Sequence, residues 1–277
     1  MKVVLFCGGL GMRMRDGQRD LPKPMVMVGD RPLIWHVMRY YAHFGHTEFI
    51  LCLGHGAKEI SDYFLHYEET DTNDFVLSDG QVSTVSKEID DWRITFAHTG
   101  VSTPIGERLR RVRSYLGDDE MFMANYADVL TDAPLNTLIE RFRQTDALAS
   151  LLAVPPQSSF HIVATDERDR VTEIDSVASL DLRENGGYFV LRRDLLDELE
   201  PDCDLVGDTL TRLASRGQVL AQPYDGFWVP ADTVKERVAL DELARGPVPP
   251  PWAVWLHTGD DGRVRSTADV SAAAEPR

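Results

Sequence analysis

The sequence predicts an α/β fold, in which a mainly parallel mixed sheet is flanked by helices. In the first 155 residues, apolar segments of strand length alternate with segments of helical periodicity. After Pro155-Pro156 the pattern becomes richer in strands. Such alternation indicates parallel strands joined by crossover helices, and sheets of this kind bind ligands at the carboxyl ends of their strands. We expect one domain over residues 1–255, with halves at 1–155 and 156–255.

The first half combines short apolar runs, which predict buried strands, with segments that place apolar residues on one helical face. Leu33, Val37 and Tyr41 are an example of such a face. Strands are predicted at 2–7, 48–53, 95–98, 120–124 and 148–154, and helices at 32–44, 57–67, 106–116 and 134–145. Asp132 is expected to cap the last of these helices.

The second half is predicted to contain more strand than helix. Strands are expected at 161–165, 171–174, 187–191 and 219–224, and helices at 193–200, 208–216 and 232–244. In the first half, segment 71–91 is polar and predicts an irregular excursion or lid, with a plain surface insertion as the alternative. Residues 256–277 are small and polar, which predicts a disordered tail.

Composition excludes several classes of protein. The net charge of the 277 residues is −16, and such a chain repels nucleic acid and anionic lipid. Its apolar runs are too short to span a membrane, and the N-terminal residues do not form a secretory leader pattern. The three cysteines are far apart, which favours neither disulfides nor a zinc site and fits a reducing cytoplasm.

A glycine-rich turn follows the first predicted strand, at Gly8, Gly9 and Gly11. Glycines allow backbone N–H groups to crowd around an anion, where a Cβ would clash. Arg13 and Lys23 add two positive charges, and the prolines on both sides of Lys23 restrict its orientation. The combination indicates binding of a nucleoside triphosphate. Neither the dinucleotide fingerprint nor the Walker loop fits this spacing, and a flexible turn is the alternative reading.

Several stretches together resemble the sugar-nucleotidyltransferase family, with the nearest likeness to glucose-1-phosphate cytidylyltransferases. They are GGLGMRM (8–14), PKPMVMVGDRPLIWHVMRYYAHFG (22–45), GERLRRV (106–112), NYADVLTD (125–132), ENGGYFVL (184–191) and GFWVPADT (226–233). The resemblance implies a Rossmann-like domain with a nucleotide-binding first half and a sugar-binding second half. It also implies transfer of a nucleotidyl group, CTP being the favoured donor, to a sugar 1-phosphate, with Mg²⁺ as cofactor in a homo-oligomer.

Motif matches imply roles for individual residues. The phosphates would be bound by Arg13 and Lys23, and the metal would be held by Asp128 and Asp232. The residues that would bind the nucleotide are Gly8, Gly9, Gly11, Met12, Arg108 and Arg111. The residues that would bind the sugar are Asn185, Gly186, Gly187 and Trp228. A carboxylate that follows an apolar strand lies at the carboxyl edge of the sheet and is the oxygen ligand that Mg²⁺ prefers. One aspartate from each half would close the metal between the two substrates.

Some of these residues also have purely structural explanations. Asp128 could belong to a turn and Asp232 could be a helix N-cap. Arg108 and Arg111, three residues apart, could form a solvated basic face.

Motif residues in the second half also have purely structural explanations. Asn185-Gly186 alone reads as a hairpin turn, and Trp228 could be a core residue. His36, His55 and His161 show no ligand spacing and are expected to be structural.

The chain departs from the family pattern in two places near the phosphates and the metal. Met12 stands where members usually carry a threonine or serine, so a hydroxyl contact is lost while the backbone amide remains. The metal aspartate is usually flanked by glycines, whereas here its neighbours are Ala127 and Val129. Val129 is expected to narrow the pocket.

A third departure concerns the acceptor. The family's Glu-Lys-Pro motif, whose lysine holds the sugar phosphate, is missing, and no lysine occurs between Lys87 and Lys235. Arg183 is the expected replacement, with Arg170 as the second choice. Two alternatives to the standard activity stay open: a catalytically idle relative that only binds nucleotide or sugar, and a transferase that uses a non-standard acceptor such as a phosphonate.

Overall fold

A computed structural model describes residues 1–9, 21–84, 87–157 and 160–256 of the chain. The expectations for Gly11, Met12, Arg13 and residues 257–277 therefore lie outside the described residues. The strands are β1 Val3–Phe6, β2 Met27–Val28, β3 Arg31–Pro32, β4 Glu48–Leu53, β5 Phe75–Ser78, β6 Gln81–Thr84, β7 Arg93–His98, β8 Met121–Asn125, β9 Val129–Thr131, β10 Ala149–Val154, β11 His161–Thr165, β12 Val171–Ser176, β13 Glu184–Arg192, β14 Val219–Pro223 and β15 Trp228–Pro230. The α-helices are α1 Leu33–His43, α2 Ala57–Leu65, α3 Ile105–Val112, α4 Leu135–Arg143, α5 Thr211–Ala214 and α6 Val234–Ala244.

Seven strands form the central sheet in the order β14-β10-β13-β8-β1-β4-β7. Strand β1 pairs in parallel with β4 and β8, and β10 pairs in parallel with β14, whereas β13 is antiparallel to both of its neighbours. This confirms the predicted mainly parallel mixed sheet. Because β13 lies between β8 and β10, strands from both predicted halves share one sheet.

The sheet is buried on both faces. Successive residues of β1 alternate between two apolar clusters: Val3 and Leu5 pack on one side, Val4 and Phe6 on the other. The first cluster includes residues of α1 and α4, and the second includes residues of α3 and α5. Alternation with a period of two explains why a central strand reads as an uninterrupted apolar run.

Several predicted helices are shorter or of another kind. The helix expected at 106–116 is α3 followed by a 3₁₀ turn at Arg113–Leu116, and the one expected at 193–200 is only the 3₁₀ turn Arg193–Asp197. The helix expected from 208 begins earlier, as the π-helix Leu205–Leu210. Its start is set by Asp204, whose side chain accepts hydrogen bonds from two backbone N–H groups of the first turn.

Segment 71–91 was predicted to be irregular, and this is wrong, because the segment contains the hairpin of β5 and β6. Asp79 and Gly80 connect the two strands and both have positive φ, at 52° and 75°. An Asp-Gly pair between two short segments that contain apolar residues is the expected signal of a two-residue hairpin turn, so the sequence did contain the information. No helix in the described ranges is long and apolar enough to cross a membrane.

The expected cap of α4 is also corrected. The N-cap position is occupied by Pro134, without a side-chain cap. Asp132 instead accepts hydrogen bonds from the Tyr224 hydroxyl and from the Phe227 backbone N–H, 2.9 Å away. The carboxylate thus joins the end of β9 to the segment before β15 rather than stabilising the helix.

Candidate active site

Three segments from distant parts of the chain meet at the carboxyl edge of the sheet. The ammonium of Lys23 lies 2.6 Å from Asp128 Oδ2, across 105 residues of sequence. It also contacts Asp232 Oδ1, 209 residues away. Both pairings are ion pairs, in which the side chains of Lys23 and Asp128 are 21% and 24% exposed and that of Asp232 is 51% exposed. One cation therefore joins the two predicted metal carboxylates.

The backbone around Lys23 is held by the flanking prolines. Lys23–Met25 is a 3₁₀ turn, closed by hydrogen bonds from Met25 N to Pro22 O (2.8 Å) and from Val26 N to Lys23 O (3.1 Å). The proline rings fix φ at two of these positions, so the side chain between them leaves the turn in one direction. That direction is toward Asp128, which follows β8.

Asp128 is positioned by a tight connection between β8 and β9. Asn125 is fully buried, and its Oδ1 accepts a hydrogen bond of 2.6 Å from Ala127 N. Ala127 has a positive φ of 61°, a conformation that glycine adopts more easily than alanine. A glycine, which the family resemblance implies at this position, would meet this backbone requirement without the strain that alanine carries. The Asp128 carbonyl accepts a hydrogen bond from Ala231 N (2.9 Å), which brings the neighbouring Asp232 to the site.

Asp232 is not the N-cap of α6. That position belongs to Thr233, whose side chain accepts from the Glu236 N–H, while the Glu236 carboxylate accepts from the backbone N–H groups of Asp232 and Thr233. This reciprocal capping box satisfies the first turn of the helix without the aspartate. The carboxylate of Asp232 is thereby left to contact Lys23.

Charge and burial act in opposite directions in this cluster. Burial by itself lowers the pKa of Lys23, but the Asp128 and Asp232 carboxylates outweigh it, and the pKa of the ammonium is raised. Burial raises the pKa of Asp128, and the ion pair with Lys23 opposes this effect only in part. The Asp128 carboxylate is therefore held at a position where a cation is needed to compensate its charge.

The two carboxylates fit a hard divalent cation. Mg²⁺ prefers oxygen ligands and is commonly held by one or two carboxylates together with substrate phosphates. No group of three or more histidine, cysteine, aspartate or glutamate side chains is suited to hold a metal among the described residues. The donor set formed by Asp128 and Asp232 is thus one that phosphate oxygens would complete.

A cavity of about 500 Å³ opens beside this cluster. Its lining includes Gly8 and Gly9 after β1, Tyr126 and Asp128 after β8, and Arg108 of α3. The glycine loop and the Asp128 carboxylate therefore face one space. A cavity at the carboxyl edge of a parallel sheet is the expected location of a ligand in this class of fold.

Arg108 packs against the glycine loop and contacts it at Gly8. It is 3% exposed, so it is not part of a solvated basic face. Its guanidinium donates to Gly8 O (3.1 Å), Thr99 Oγ1 (2.8 Å), Val101 O (3.1 Å) and Thr103 O (2.9 Å). A Cβ on Gly8 would lie 2.1 Å from Arg108 Nη1, so only glycine permits this approach.

Arg111 is oriented differently, with a half-exposed side chain. It donates to Glu107 Oε1 (3.0 Å), Thr99 O (2.7 Å) and Thr103 Oγ1 (3.2 Å). Arg108 and Arg111 thus both hold the loop at 99–104 that lines the cavity. Both arginines therefore shape the wall of this cavity, although only Arg108 of the two lines the cavity itself.

Asn185, Gly186 and Gly187 lie within β13 and form a bulge, not a hairpin turn. Opposite β10, Leu151 pairs with Phe189 and Ala153 with Asn185, so β13 contains extra residues at this point. Asn185 Oδ1 accepts from Gly187 N (3.0 Å), and its Nδ2 donates to the Tyr126 hydroxyl (3.2 Å). Bulges of this kind redirect side chains next to ligand sites.

Two close contacts explain the glycines. Gly187 has a φ of 74°, and a Cβ there would lie 2.7 Å from Tyr126 Cδ2. Gly186 packs against Trp228, whose Nε1 donates to Gly186 O at 2.8 Å. Trp228 is 8% exposed and belongs to the core, so its contact with the predicted sugar site is through the backbone of the bulge.

Arg183 lies near the start of β13 and is already engaged by three acceptors. Its Nη1 contacts Ala153 O (3.1 Å), Tyr224 O (3.3 Å) and Asp225 Oδ1 (2.9 Å). Arg170, the second choice for the acceptor phosphate, pairs with Asp166 on the exposed β11–β12 hairpin. Arg183 is therefore the better placed of the two, but it shares its charge with Asp225.

Sequence reasoning missed Tyr126 and Asp204. Tyr126 lines the cavity and contacts Asn185, so it connects the cavity to the bulge of β13. Asp204 lines the same cavity and caps the π-helix. The position of Tyr126 between the end of β8 and Asp128 could have indicated its role, whereas Asp204 carries no such signal. His36 is structural as expected: it is buried and bonded to Val28 O at 2.9 Å.

Fold and site together define an α/β protein in which a lysine, two aspartates and a glycine-lined cavity meet at the carboxyl edge of the sheet. The chain belongs to the nucleotidyl transferase family, whose sequence profile matches residues 2–233.

Individual relatives agree with this assignment. The chain is 33% identical over 261 residues to the glucose-1-phosphate cytidylyltransferase of Salmonella typhimurium and 31% identical over 259 residues to that of Salmonella typhi. In both cases 92% of this chain and 100% of the relative are covered. The fold is similar to that of UDP-glucose pyrophosphorylase from Acinetobacter baumannii, with a TM-score of 0.63, 19% identity and coverage of 90% and 95% of the two chains.

Proposed function

We propose that this enzyme transfers the cytidylyl group of CTP to a sugar 1-phosphate, giving a CDP-sugar and pyrophosphate. The observation that carries the proposal is the convergence of Lys23, Asp128 and Asp232 beside the cavity that Gly8 and Arg108 help to line. The cytidine preference is supported by the names of the relatives that the chain resembles over nearly its whole length.

In this reaction a phosphate oxygen of the acceptor forms a bond to the α-phosphorus of the nucleotide. The bond between the α-phosphorus and the bridging oxygen breaks, and pyrophosphate leaves with that electron pair. Both reactants are anions, so the site must position them and neutralise charge, and a covalent enzyme intermediate is not required.

Each residue of the cluster then has a defined task. Asp128 and Asp232 would hold Mg²⁺, which when bound draws the anionic oxygens together and neutralises their charge. Lys23 would leave the carboxylates and pair with the phosphates. Gly8 and Gly9 would offer backbone N–H groups. Arg13 is assigned to the departing pyrophosphate on the family resemblance alone.

The acceptor would lie against the bulge of β13. Asn185 has both a donor and an acceptor on its side chain and can bind hydroxyl groups, and Gly186 and Gly187 leave room for a sugar ring. In place of the missing lysine, Arg183 would hold the acceptor phosphate after exchange with Asp225. The test must also distinguish this activity from that of a transferase that uses a non-standard acceptor, such as a phosphonate.

We also propose that the enzyme is a cytoplasmic homo-oligomer. The two-stranded β5–β6 and β11–β12 hairpins expose apolar side chains, among them Leu77, Val82, Val163 and Ile174 at 53% to 67%. An isolated hairpin is marginally stable in water, and a second copy of the chain would cover these residues. Sedimentation velocity tests the assembly. The three cysteines are buried and unpaired, which supports a reducing compartment.

The activity is tested by Mg²⁺-dependent pyrophosphate release. CTP, UTP, dTTP, GTP and ATP are each combined with glucose 1-phosphate, other sugar 1-phosphates and a sugar phosphonate. Asp128→Asn should abolish release, whereas Asp146→Asn, which alters an exposed aspartate, should not. Turnover highest with CTP supports the proposal, and a purine preference overturns the cytidine assignment. Saturable CTP binding without turnover on any acceptor would instead identify an idle relative.

A further inference from the structure

A second pocket, of about 530 Å³, lies where α3 runs into the following 3₁₀ turn. Its lining contains four arginines and one carboxylate, that of Asp118. The arginines are Arg110 and Arg111 of α3, Arg113 of the 3₁₀ turn, and Arg193 after β13. The cavity beside Lys23 has a different lining, in which none of these four residues takes part.

The cations of this pocket outnumber the carboxylates that pair with them. Arg110 and Arg111 share one acidic partner, Glu107, at 2.5 Å and 3.0 Å. Arg113 pairs with Asp197 at 2.7 Å. The Nη1 of Arg193 is buried, and it has no hydrogen-bond partner among the described residues.

Such a concentration of positive charge is unusual in a chain with a net charge of −16. Guanidinium groups crowded together repel one another, and a buried donor without an acceptor costs free energy. An anion in the pocket would relieve the repulsion, and it would give the Arg193 Nη1 an acceptor once this side chain turns toward the pocket. Planar guanidinium groups with several donors are suited to phosphate oxygens.

We propose that this arginine pocket is an effector site for a phosphate-bearing anion. Arg193 and Arg113 would bind the phosphate directly. Arg110 and Arg111 would move toward the phosphate, and their ion pairs with Glu107 would become weaker.

The pocket is coupled to the nucleotide cavity through α3. Arg111 also donates to Thr99 O and Thr103 Oγ1 in the loop that lines the nucleotide cavity. Arg108, one turn earlier in the same helix, supports Gly8 from below. An anion that moves Arg111 thereby alters the wall of the nucleotide cavity, so its binding must change nucleotide affinity, and nucleotide must change anion affinity by the same factor.

Binding is tested with inorganic phosphate by thermal unfolding, with sodium chloride adjusted to constant ionic strength. Phosphate should raise the melting temperature of the wild type by about 2–4 °C at saturation. The double variant Arg113→Gln/Arg193→Gln should lose most of this increase. Arg141→Gln/Arg143→Gln, with the same change of charge on the exposed face of α4, should keep it. Lys23→Met should also keep it, because the pocket is separate from the active site.

Coupling is tested by equilibrium dialysis of CTP with and without phosphate, a measurement that rests on the proposed nucleotide specificity. We expect a change in the dissociation constant of about fivefold in the wild type and none in Arg113→Gln/Arg193→Gln. An equal thermal response in the wild type and that variant overturns the site. If Lys23→Met loses the phosphate-dependent increase in melting temperature, the phosphate binds in the active site, and the proposal is overturned as well. Phosphate binding without any change in CTP affinity overturns the effector role, and failure of CTP to bind at all counts against the proposed function alone.

Discussion

The ammonium of Lys23 lies 2.6 Å from the carboxylate of Asp128 and also contacts Asp232. If Asp128 and Asp232 hold Mg²⁺ as proposed, the ammonium of Lys23 and the metal would compete for the same carboxylate oxygens. Phosphates that attract the ammonium would then free the carboxylates, and entry of the metal would be linked to entry of the nucleotide.

Lys23→Met should raise the affinity of the nucleotide-free protein for a divalent cation, because one competitor is removed. We expect the dissociation constant for Mn²⁺, measured by electron paramagnetic resonance, to fall about tenfold or more. Turnover should fall about 10³-fold because a charge next to the reacting phosphates is lost. Lys58→Met, which removes an exposed lysine paired with Asp62, is the control. Unchanged Mn²⁺ affinity in Lys23→Met would show that the two cations do not share a position.

Arg108→Met should destabilise the protein and weaken nucleotide binding together. The variant leaves four buried or half-buried acceptors around the glycine loop without their donor. We expect a loss of about 3 kcal/mol in the free energy of unfolding, measured in urea. The matched variant Arg143→Met removes an arginine that pairs loosely with Glu140 at 3.6 Å, and it should cost less than about 0.5 kcal/mol. Equal losses in the two variants would contradict the role of Arg108.

Gly187→Ala should be far more damaging than a similar change elsewhere. Gly187 and Gly217 have nearly the same φ, 74° and 71°, but only the first would place its Cβ against another residue, 2.7 Å from Tyr126. Gly217→Ala should therefore lower the free energy of unfolding only by the cost of a positive φ at alanine, about 1 kcal/mol. Gly187→Ala adds a steric clash and should cost about 3 kcal/mol or more by urea unfolding. Acceptor KM should rise only in Gly187→Ala.

Stability should decrease as the pH falls from 6.5 toward 5. Burial and the nearby Arg31 guanidinium lower the pKa of His36 to about 4. The neutral ring fits its neighbours: Nε2 donates to Val28 O, and Nδ1 accepts from Trp252 Nε1 at 3.2 Å. Below pH 6.5 the unfolded chain takes up a proton that the folded protein excludes until about pH 4. Stability from this group is therefore complete above pH 6.5 and decreases by about 1.4 kcal/mol per pH unit below it.

His36→Gln supplies the control for this pH dependence, since glutamine keeps a donor and an acceptor without titrating. Between pH 6.5 and 5 the wild type should lose about 2 kcal/mol more than the variant in urea unfolding. Parallel losses in the two proteins would show that His36 does not cause the effect. His46, whose pKa is lowered to about 4 by burial, remains in both proteins and contributes equally.

Arg183→Gln should raise the KM for the acceptor about 10²-fold or reduce kcat by a similar factor, while the KM for CTP stays constant. Asp225→Asn, which removes the acidic partner of Arg183, should lower the acceptor KM instead. A reduced melting temperature of Arg183→Gln with unchanged kcat/KM would mean that this arginine only ties the ends of β10 and β14 together.

Much of the architecture could be predicted from local pattern. The apolar runs became β1, β4, β8 and β10, because strands buried on both faces lack polar positions. Helix ends were less predictable. The helix expected at 232 begins only after the Thr233 cap, since Thr233 and Glu236 form a capping box.

The sequence by itself determined which residue types surround the site: a glycine loop, a lysine between prolines, and aspartates after strands. These are properties of short segments, and local backbone preferences decide them. Only the tertiary structure decided that Lys23 meets Asp128 and Asp232, that Arg108 is buried under Gly8, and that Arg183 pairs with Asp225. Each of these contacts joins residues distant in the chain, and the order in which the strands pair brings them together.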